Sequence, residues 1–286
     1  MCSSDLIHIG LFLLTCISTV LVGVFNSAAE GETTRLFSEI LRHPSILLRG
    51  APYCISVMSI LFAHEMGHYL TCRAYGISAT LPYFIPAPTL VGTMGAFIKI
   101  KSPIHNRRAL LDVGIAGPIA GFVMAVPILF IGLHYSHFAP LDLSKDYLGL
   151  GEPLIFKIAA RLMGKVPPAG MDLFLDPIAM AAWFGLFVTA MNLLPVGQLD
   201  GGHVSYAILR RLHPVISKGL VILLIPLGIF FWQGWLVWAA LLLFIGIYHP
   251  MTLDDSEPVA RRHVWLGWIG LAMLVLCFTP VPFYFN

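Results

Sequence analysis

The sequence predicts an all-α polytopic membrane protein with about six to seven transmembrane helices and a short membrane-edge β-strand region between the second and third. Two observations carry this prediction. Of the 286 residues, 58% are hydrophobic and only 11% are charged, whereas soluble domains carry roughly 25% charged residues. Apolar runs of about 20 residues, the length that crosses a bilayer as a helix, recur along the chain.

Seven apolar runs are candidate spans. They cover residues 7–29, 52–73, 110–134, 176–195, 214–232, 234–250 and 264–283. Only residues 232–234 separate the fifth run from the sixth, which predicts a tight helical hairpin or one broken re-entrant pair. Because the residues at the ends of the runs can belong either to a span or to a loop, the sequence predicts six or seven crossings.

The N-terminus needs separate treatment, because MCSSDL is similar to translated sequencing-adapter sequence. We therefore expect residues 1–6 to be an artefact and the source to be bacterial. The run that follows has no Lys or Arg before Arg35, so it lacks the basic region that begins a signal peptide. Its length predicts a first transmembrane helix.

Two stretches between the spans are too polar to cross a bilayer. Residues 78–106 hold four prolines. Within this stretch, apolar and basic side chains alternate toward the end of residues 96–101, which is typical of a short strand. Residues 135–175 contain one predicted amphipathic helix at about 153–164. Neither stretch is long enough for an inserted peptide-binding domain of ordinary size, roughly 100 residues.

An ionisable cluster interrupts the second span at His64-Glu65-Met66-Gly67-His68. Positions i and i+4 share one face of a helix, so both imidazoles can reach the same metal ion. Glu65 is close enough to act on a water bound to that metal. Placing ionisable groups inside a bilayer costs free energy, so such groups mark a functional site by default.

A catalytic zinc ion takes three protein ligands, so the chain must supply another donor. Asp200 is the acidic residue that best fits, because Asp112, the other candidate against a span, can pair with Arg107 and Arg108 one turn upstream. Pro195 breaks the fourth span shortly before Asp200 and lets the backbone turn back inside the protein. The alternative role for Asp200 is to cap a turn.

Both motifs are predicted to lie near the same membrane face. The second span ends about 5 residues after His68, roughly 7 Å at the rise of a helix, and the fourth span ends on that same side just before Asp200. The loops on this side hold ten of the 17 Lys and Arg residues. This excess predicts the cytoplasmic side.

An HExxH motif in one span, followed by Asn-x-x-Pro-x-x-x-x-Asp-Gly after another, resembles the site-2 protease family of intramembrane zinc metalloproteases. The resemblance extends to the Ala-Gly-Pro sequence at 116–118 and to residues 92–98, which look like the family's membrane-edge strand. It divides the chain into an N-terminal segment with the first span (1–51), a catalytic three-helix core with the metal site (52–205) and C-terminal transmembrane helices (206–286). Neither an inserted PDZ-type domain nor an appended regulatory domain is expected.

The resemblance implies a role for each polar residue of the two motifs. His64, His68 and Asp200 are expected to bind Zn²⁺ and to leave a position for water. Glu65 is expected to act as the general base and then to deliver the proton to the leaving amine. Asn192 is expected to stabilise the oxyanion, although a lone polar residue in a span also often bonds across helices as packing glue.

The expected substrate is a single-span membrane protein whose helix must unwind locally. Gly95, Ala96, Phe97 and Ile98 are predicted to bind the unwound segment by β-augmentation, because lipid offers no hydrogen-bond partners. The glycines at 114, 117 and 121 are interpreted as permitting close helix packing. His203 is interpreted as the start of the next helix rather than as support for the ligands.

The predicted function is therefore that of an intramembrane zinc metalloendopeptidase that acts in regulated intramembrane proteolysis. It would be a multi-pass protein of a bacterial cell membrane, with the active site toward the cytoplasm. A metal-ion transporter or sensor, and an inactive protease-like membrane chaperone, are the alternatives. The net charge of +2 and the lack of a basic stripe argue against a nucleic-acid partner.

Overall fold

A computed structural model describes residues 3–27, 33–140 and 148–285, and it is mainly helical. In these ranges the α-helices are α1 (Ser3–Ser27), α2 (Thr33–Arg42), α3 (Ala51–Ala74), α4 (Arg107–Tyr135), α5 (Leu154–Leu162), α6 (Pro177–Asn192), α7 (Asp200–Leu209), α8 (His213–Phe230), α9 (Gly234–Ile245) and α10 (Trp265–Cys277). Short 3₁₀ helices cover Pro44–Gly50 and Arg261–His263. Residues 1 and 2 of the suspected artefact lie outside the described residues.

Six short strands form three antiparallel pairs within the same ranges. The strands are β1 (Tyr83–Pro86), β2 (Thr93–Phe97), β3 (His137–Pro140), β4 (Leu148–Leu150), β5 (Met171–Phe174) and β6 (Phe283–Phe285). The pairs are β1 with β2, β3 with β5 and β4 with β6. The predicted strand region between the second and third spans is therefore present as the β1–β2 hairpin.

Four helical segments of the described chain are long and apolar enough to cross a membrane, and they identify an integral membrane protein. They are Leu6–Ser27, Pro44–Ala74, Arg107–Tyr135 and His213–Phe230. Helices α6, α9 and α10 occupy the other three predicted runs but have only 16, 12 and 13 residues. About 20 residues are needed for a perpendicular crossing, so the six to seven crossings stay a prediction.

The core forms where α4 packs against α3, α6 and α7. Helix α4 begins after Asn106, whose side chain accepts a hydrogen bond of 2.9 Å from the Ala109 N–H. Such a cap satisfies one of the amide groups that a helix start leaves without a partner. Small residues then let the helices approach closely, since a Cβ on Gly132 would overlap the backbone of Ala179 in α6. The close packing of α3, α4 and α6 places their polar residues next to each other.

The β1–β2 hairpin lies against α1 and α3. Its turn needs Gly92, which has a φ of +81° and whose missing Cβ leaves room for the Ser18 carbonyl of α1. The Ser18 hydroxyl donates a hydrogen bond of 2.6 Å to the Gly92 carbonyl. The Tyr53 hydroxyl of α3 donates one of 3.0 Å to the Val91 carbonyl. Both bonds fix the hairpin on the helices.

The predicted strand over residues 96–101 is displaced toward the N-terminus. Strand β2 ends at Phe97, and beyond it the pairing continues irregularly, with an isolated bridge between Ala79 and Ile100. The Thr80 N–H donates to the Lys99 carbonyl at 3.0 Å. Alternation in the sequence marks the extended backbone correctly, but the position of β1 decides where regular pairing stops.

Two other predictions are confirmed. The amphipathic helix predicted at 153–164 is α5, which begins at Leu154 and ends at Leu162. The pair of helices predicted on either side of residues 232–234 is present as α8 and α9, which pack against each other; whether the pair is a transmembrane hairpin or re-entrant stays a prediction.

Candidate metal centre

Helix α3 places three ionisable side chains inside the protein. His64, Glu65 and His68 are all buried, between 6% and 7% exposed. His64 and His68 are one helical turn apart, and their Nε2 atoms lie 3.2 Å from each other. The spacing i to i+4 thus brings the two imidazoles together as the sequence predicts.

Asp200 is brought to the same point by a sharp turn in the backbone after α6. Gly197 takes a φ of +53° in this turn. A Cβ on Gly201 would overlap the carbonyl oxygen of Leu193, so only glycine permits the close return of the chain. As the first residue of α7, Asp200 then directs its carboxylate at both histidines, with Oδ2 at 3.2 Å from His64 Nε2 and Oδ1 at 3.3 Å from His68 Nε2.

The three side chains fit a tetrahedral metal ion. Metal–ligand bonds of about 2.0–2.1 Å in a tetrahedron place neighbouring ligand atoms roughly 3.3 Å apart, and the three measured separations are 3.2, 3.2 and 3.3 Å. Asp200 Oδ2 is buried and has no hydrogen-bond partner. Buried carboxylate oxygens rarely lack one, so this group can hold a metal ion.

The His68 ring is held by helix α4. Its Nδ1 lies 2.8 Å from the Val113 carbonyl oxygen. A carbonyl only accepts, so Nδ1 carries the hydrogen and Nε2 presents its lone pair to the metal position. Gly117 makes room for this ring, since a Cβ there would overlap it, and a Cβ on Gly121 would lie 3.2 Å from His64 Nδ1. The predicted glycine stripe therefore allows α4 to pack directly on the two histidines.

The two catalytic candidates lie beside the three ligand candidates. The Asn192 side-chain nitrogen is 3.4 Å from His64 Nε2. Glu65 and Asn192 both face a cavity of about 240 Å³. We call this the catalytic cavity, and it is lined by His64, Glu65, His68, Ala96, Phe97, Ile98, Ile100, Val113, Asn192, Gln198, Leu199, Asp200 and His203. Their roles as base and oxyanion donor stay predictions.

Of the four residues predicted to bind substrate, three reach the catalytic cavity. Ala96, Phe97 and Ile98 are part of its lining, whereas Gly95, which the structure also describes, is not. Backbone groups of Lys99 are bonded toward the β1 side. Because successive residues of an extended chain point to opposite edges, the backbone amide of Ile98 points to the other edge, on the side of the catalytic cavity that Ile98 lines.

Sequence reasoning missed a second histidine cluster next to the first. His203 lies in the first turn of α7, as predicted, but it also lines the catalytic cavity. Its Nδ1 lies 2.6 Å from His249 Nε2. Burial, and then the nearby His249, lower the pKa of His203 to about 3. The 46 residues that separate the two rings leave no local pattern by which this pair could be found.

One predicted ion pair is wrong. Arg107 does not pair with Asp112; its Nε donates instead to the Glu257 carbonyl at 3.0 Å. Asp112 is bonded by the Tyr75 hydroxyl, with Arg108 Nε at 3.9 Å. Asp112 is thereby occupied, and the choice of Asp200 as third ligand candidate stands.

Comparisons with known proteins agree with this geometry. A profile of peptidase family M50 matches residues 52–231. The chain is 30% identical over 244 residues to probable zinc metalloprotease EGY2, chloroplastic, of Arabidopsis thaliana. That alignment covers 84% of this chain and 44% of the plant protein. The chain is 32% identical over 296 residues to probable zinc metalloprotease EGY1, chloroplastic, of the same plant, covering 95% and 52%. The chain thus spans about half the length of these relatives, and no solved structure matches it.

Proposed function

The chain belongs to peptidase family M50, and from this premise we propose that it is an intramembrane zinc metalloendopeptidase. Its substrates would be single-span membrane proteins, cleaved within or near their transmembrane segments in regulated intramembrane proteolysis. The observation that carries the proposal is the convergence of His64, His68 and Asp200 on one point beside Glu65. Two relatives that match most of the chain are named probable zinc metalloproteases.

Zinc would be held by His64 Nε2, His68 Nε2 and the Asp200 carboxylate. When bound, zinc supplies a Lewis acid for the scissile carbonyl and a water whose pKa is lowered to about 7. The Val113 carbonyl keeps the His68 ring in the tautomer that a metal requires. The burial of the three side chains strengthens the electrostatic contacts made there.

Glu65 would move the proton. Its carboxylate faces the catalytic cavity between the ligand candidates and the edge of the hairpin. Ile98 of the hairpin lines the same cavity. Glu65 would take a proton from the attacking water and later give it to the leaving amine. An ionisable group buried in a membrane span is expensive and marks a functional site by default.

Asn192 would stabilise the negative charge that develops on the scissile carbonyl oxygen. Its side-chain N–H₂ group is adjacent to His64 and faces the same cavity. An amide donor held by a rigid helix needs no reorganisation during the reaction. In other hydrolases the loss of one such donor lowers the rate roughly 10²–10³-fold.

The substrate would bind as an extended segment at the edge formed by Ala96, Phe97 and Ile98. A transmembrane helix hides its amide bonds in internal hydrogen bonds, so the helix must unwind before cleavage. The backbone edge of the hairpin offers the freed groups new partners by β-augmentation. Its position on the wall of the catalytic cavity supports this role.

We also propose that the catalytic cavity faces the cytoplasmic side of a bacterial cell membrane. The excess of Lys and Arg on the side where α3 ends supports this orientation. Single cysteines introduced at Lys99 and at Lys157 test it with a membrane-impermeant thiol reagent on intact cells. Protection of the first and labelling of the second are expected; the reverse pattern contradicts the orientation.

Reconstitution with a single-span substrate tests the proposed activity. The wild type is expected to cleave the substrate, whereas Glu65→Gln is expected to keep its zinc and lose cleavage by about 10³-fold or more, because it cannot accept a proton. Zinc content is measured by elemental analysis and cleavage by mass spectrometry of the products. Metal uptake into the vesicles that is equal for wild type and Glu65→Gln, without cleavage, would favour the rival transporter function.

A further inference from the structure

The catalytic cavity continues into a second cavity. This outer cavity has a volume of about 530 Å³ and leads toward the loop after α9. The two cavities adjoin, because they share five lining residues: Phe97, Ile98, Ile100, Gln198 and His203. We call the combined space the corridor. Its two parts have volumes of about 240 and 530 Å³, which is room for more than a single side chain.

The two walls of the corridor differ in chemistry. One wall is the backbone of residues 97–100, whose edge away from β1 faces the corridor because Lys99 is bonded toward β1. The turn into α7 forms another part of the wall and contributes Gln198 and His203. An extended peptide between these walls has hydrogen-bonding groups on both of its edges.

The hydrogen bonds of His203 determine which of its nitrogens is free. His249 Nδ1 lies 2.5 Å from the Pro250 carbonyl oxygen, and since a carbonyl only accepts, Nδ1 of His249 is the donor. Burial lowers the pKa of His249, so the ring is neutral and its Nε2 accepts. His203 Nδ1 must then donate across the 2.6 Å to His249 Nε2. His203 Nε2 is left with a lone pair.

Two contacts hold the His203 ring rigidly in the corridor wall. Gly114 of α4 lies directly under it, since a Cβ there would be 2.7 Å from the His203 Cβ. On the other side the His249 ring that it bonds is stacked on Tyr206, with centroids 4.4 Å apart. A ring fixed in this way is preorganised, which lowers the entropic cost of any bond it makes.

We propose that Gln198 and His203 are further substrate-contacting residues that bind the outer edge of the extended substrate, opposite the hairpin. His203 Nε2 accepts from a substrate N–H, and the Gln198 amide bonds a neighbouring peptide group. The proposal rests on the proposed function and deepens it. It assigns the substrate a bound conformation in which both edges are satisfied by protein, as a backbone unwound at membrane depth requires.

A pair of substitutions separates the two nitrogens of His203. Asn places its amide nitrogen where Nδ1 lies, so His203→Asn keeps a donor for His249 and removes the Nε2 acceptor. Gln places its amide group where Nε2 lies, so His203→Gln keeps an acceptor in the corridor and removes the bond to His249. The loss of one neutral hydrogen bond corresponds to a change of about 3- to 10-fold in binding.

Kinetics of the full chain on a reconstituted single-span substrate give the test. His203→Asn and Gln198→Leu are expected to raise KM about 3- to 10-fold with kcat changed less than 2-fold, and His203→Gln is expected to keep KM near the wild-type value. Zinc content is expected to be unchanged in all three. His213→Asn is the matched control, because His213 binds Ser205 and Ser217 and lines neither cavity.

The outcomes distinguish this inference from the proposed function. If the wild type does not cleave, the proposed function fails and the inference with it. If the wild type cleaves but His203→Gln raises KM while His203→Asn does not, His203 only anchors His249 and the inference is overturned. Equal KM values in all variants overturn it as well. If His203→Asn does not fold, Gln198→Leu gives the test, because Gln198 is exposed. An unchanged KM in that variant contradicts the proposal that the protein binds both edges of the substrate.

Discussion

Two histidine clusters meet at the start of α7, and they differ in what their ring nitrogens face. In the metal cluster, His64, His68 and Asp200 direct three lone pairs at one point, with separations of 3.2–3.3 Å. In the His203 cluster, formed by His203, His213 and His249, the ring nitrogens that face neighbours meet hydroxyls, a carbonyl or another ring. Residue type alone therefore does not indicate a metal site. Lone pairs that have no hydrogen-bond donor and lie at metal-ligand spacing do.

Removal of one metal-cluster ligand should have the largest effect. His68→Ala leaves two ligands where a catalytic zinc ion needs three, so we expect zinc to fall from about one per chain to below about 0.1 and cleavage to fall on the order of 10³-fold or more. His213→Ala, in the other cluster, should keep its zinc. Elemental analysis of the purified proteins checks both. Zinc retained in His68→Ala and lost in His213→Ala would reverse the assignment of the clusters.

Substitution of a glycine that makes room for the metal cluster should have the next largest effect. Gly117→Ala pushes a methyl group into the His68 ring, and such overpacking costs about 1–3 kcal/mol. We expect a lower unfolding temperature together with weaker zinc binding. Gly219→Ala in α8 is the matched control, because a Cβ there meets nothing within 4 Å. Thermal unfolding in detergent and competition with a zinc chelator measure the two quantities. Equal behaviour of the two variants would show that α4 does not confine the His68 ring.

A polar group next to the His203 cluster should give the smallest effect. The Tyr206 hydroxyl donates a hydrogen bond of 2.6 Å to Asp255. Burial raises the pKa of Asp255, but bonds from Thr252 and Tyr206 and the charge of Arg210 lower it below its ordinary value on balance. Tyr206→Phe should cost about 1 kcal/mol of unfolding free energy at pH 7 and leave zinc content unchanged.

The pH dependence of that loss has a definite sign. Because the folded-state pKa of Asp255 is lowered, its bonds stabilise the fold above the unfolded pKa of about 3.9, and this contribution is lost as the pH falls through the folded value. The difference between wild type and Tyr206→Phe should therefore shrink below about pH 4. Chemical unfolding at pH 7 and at pH 3.5 measures it. A difference that grows toward acid pH contradicts the assignment of Asp255 as a charged acceptor.

The metal cluster could be predicted from sequence because its signals are local. His64 and His68 are one turn apart in an apolar run, and Asp200 follows a Pro and Gly sequence that has to turn. The His203 cluster could not, because His249 reaches His203 only through the tertiary packing of the loop after α9. The ion pair predicted between Arg107 and Asp112 was wrong for the same reason, because Arg107 bonds Glu257, which lies 150 residues away.

The limits of the helices and strands were also only partly predictable. Apolar length identifies where helices form, and α6 ends at Asn192, three residues before the helix-breaking Pro195. Strand β2 ends at Phe97 because β1 supplies a regular partner only from Tyr83 to Pro86. For β2 a distant segment determines the end of the element, and no window of local sequence contains that information.

X-ray absorption at the zinc edge of the purified chain tests the central claim most directly. Two imidazole nitrogens and at least one oxygen at about 2.0–2.1 Å, with no sulfur near 2.3 Å, are the predicted shell. In Asp200→Asn the oxygen contribution should weaken while the two imidazoles remain. A shell that contains sulfur, or one that loses imidazole signal in His203→Gln but keeps it in His68→Ala, would contradict the claim that two separate parts of the chain hold one ion.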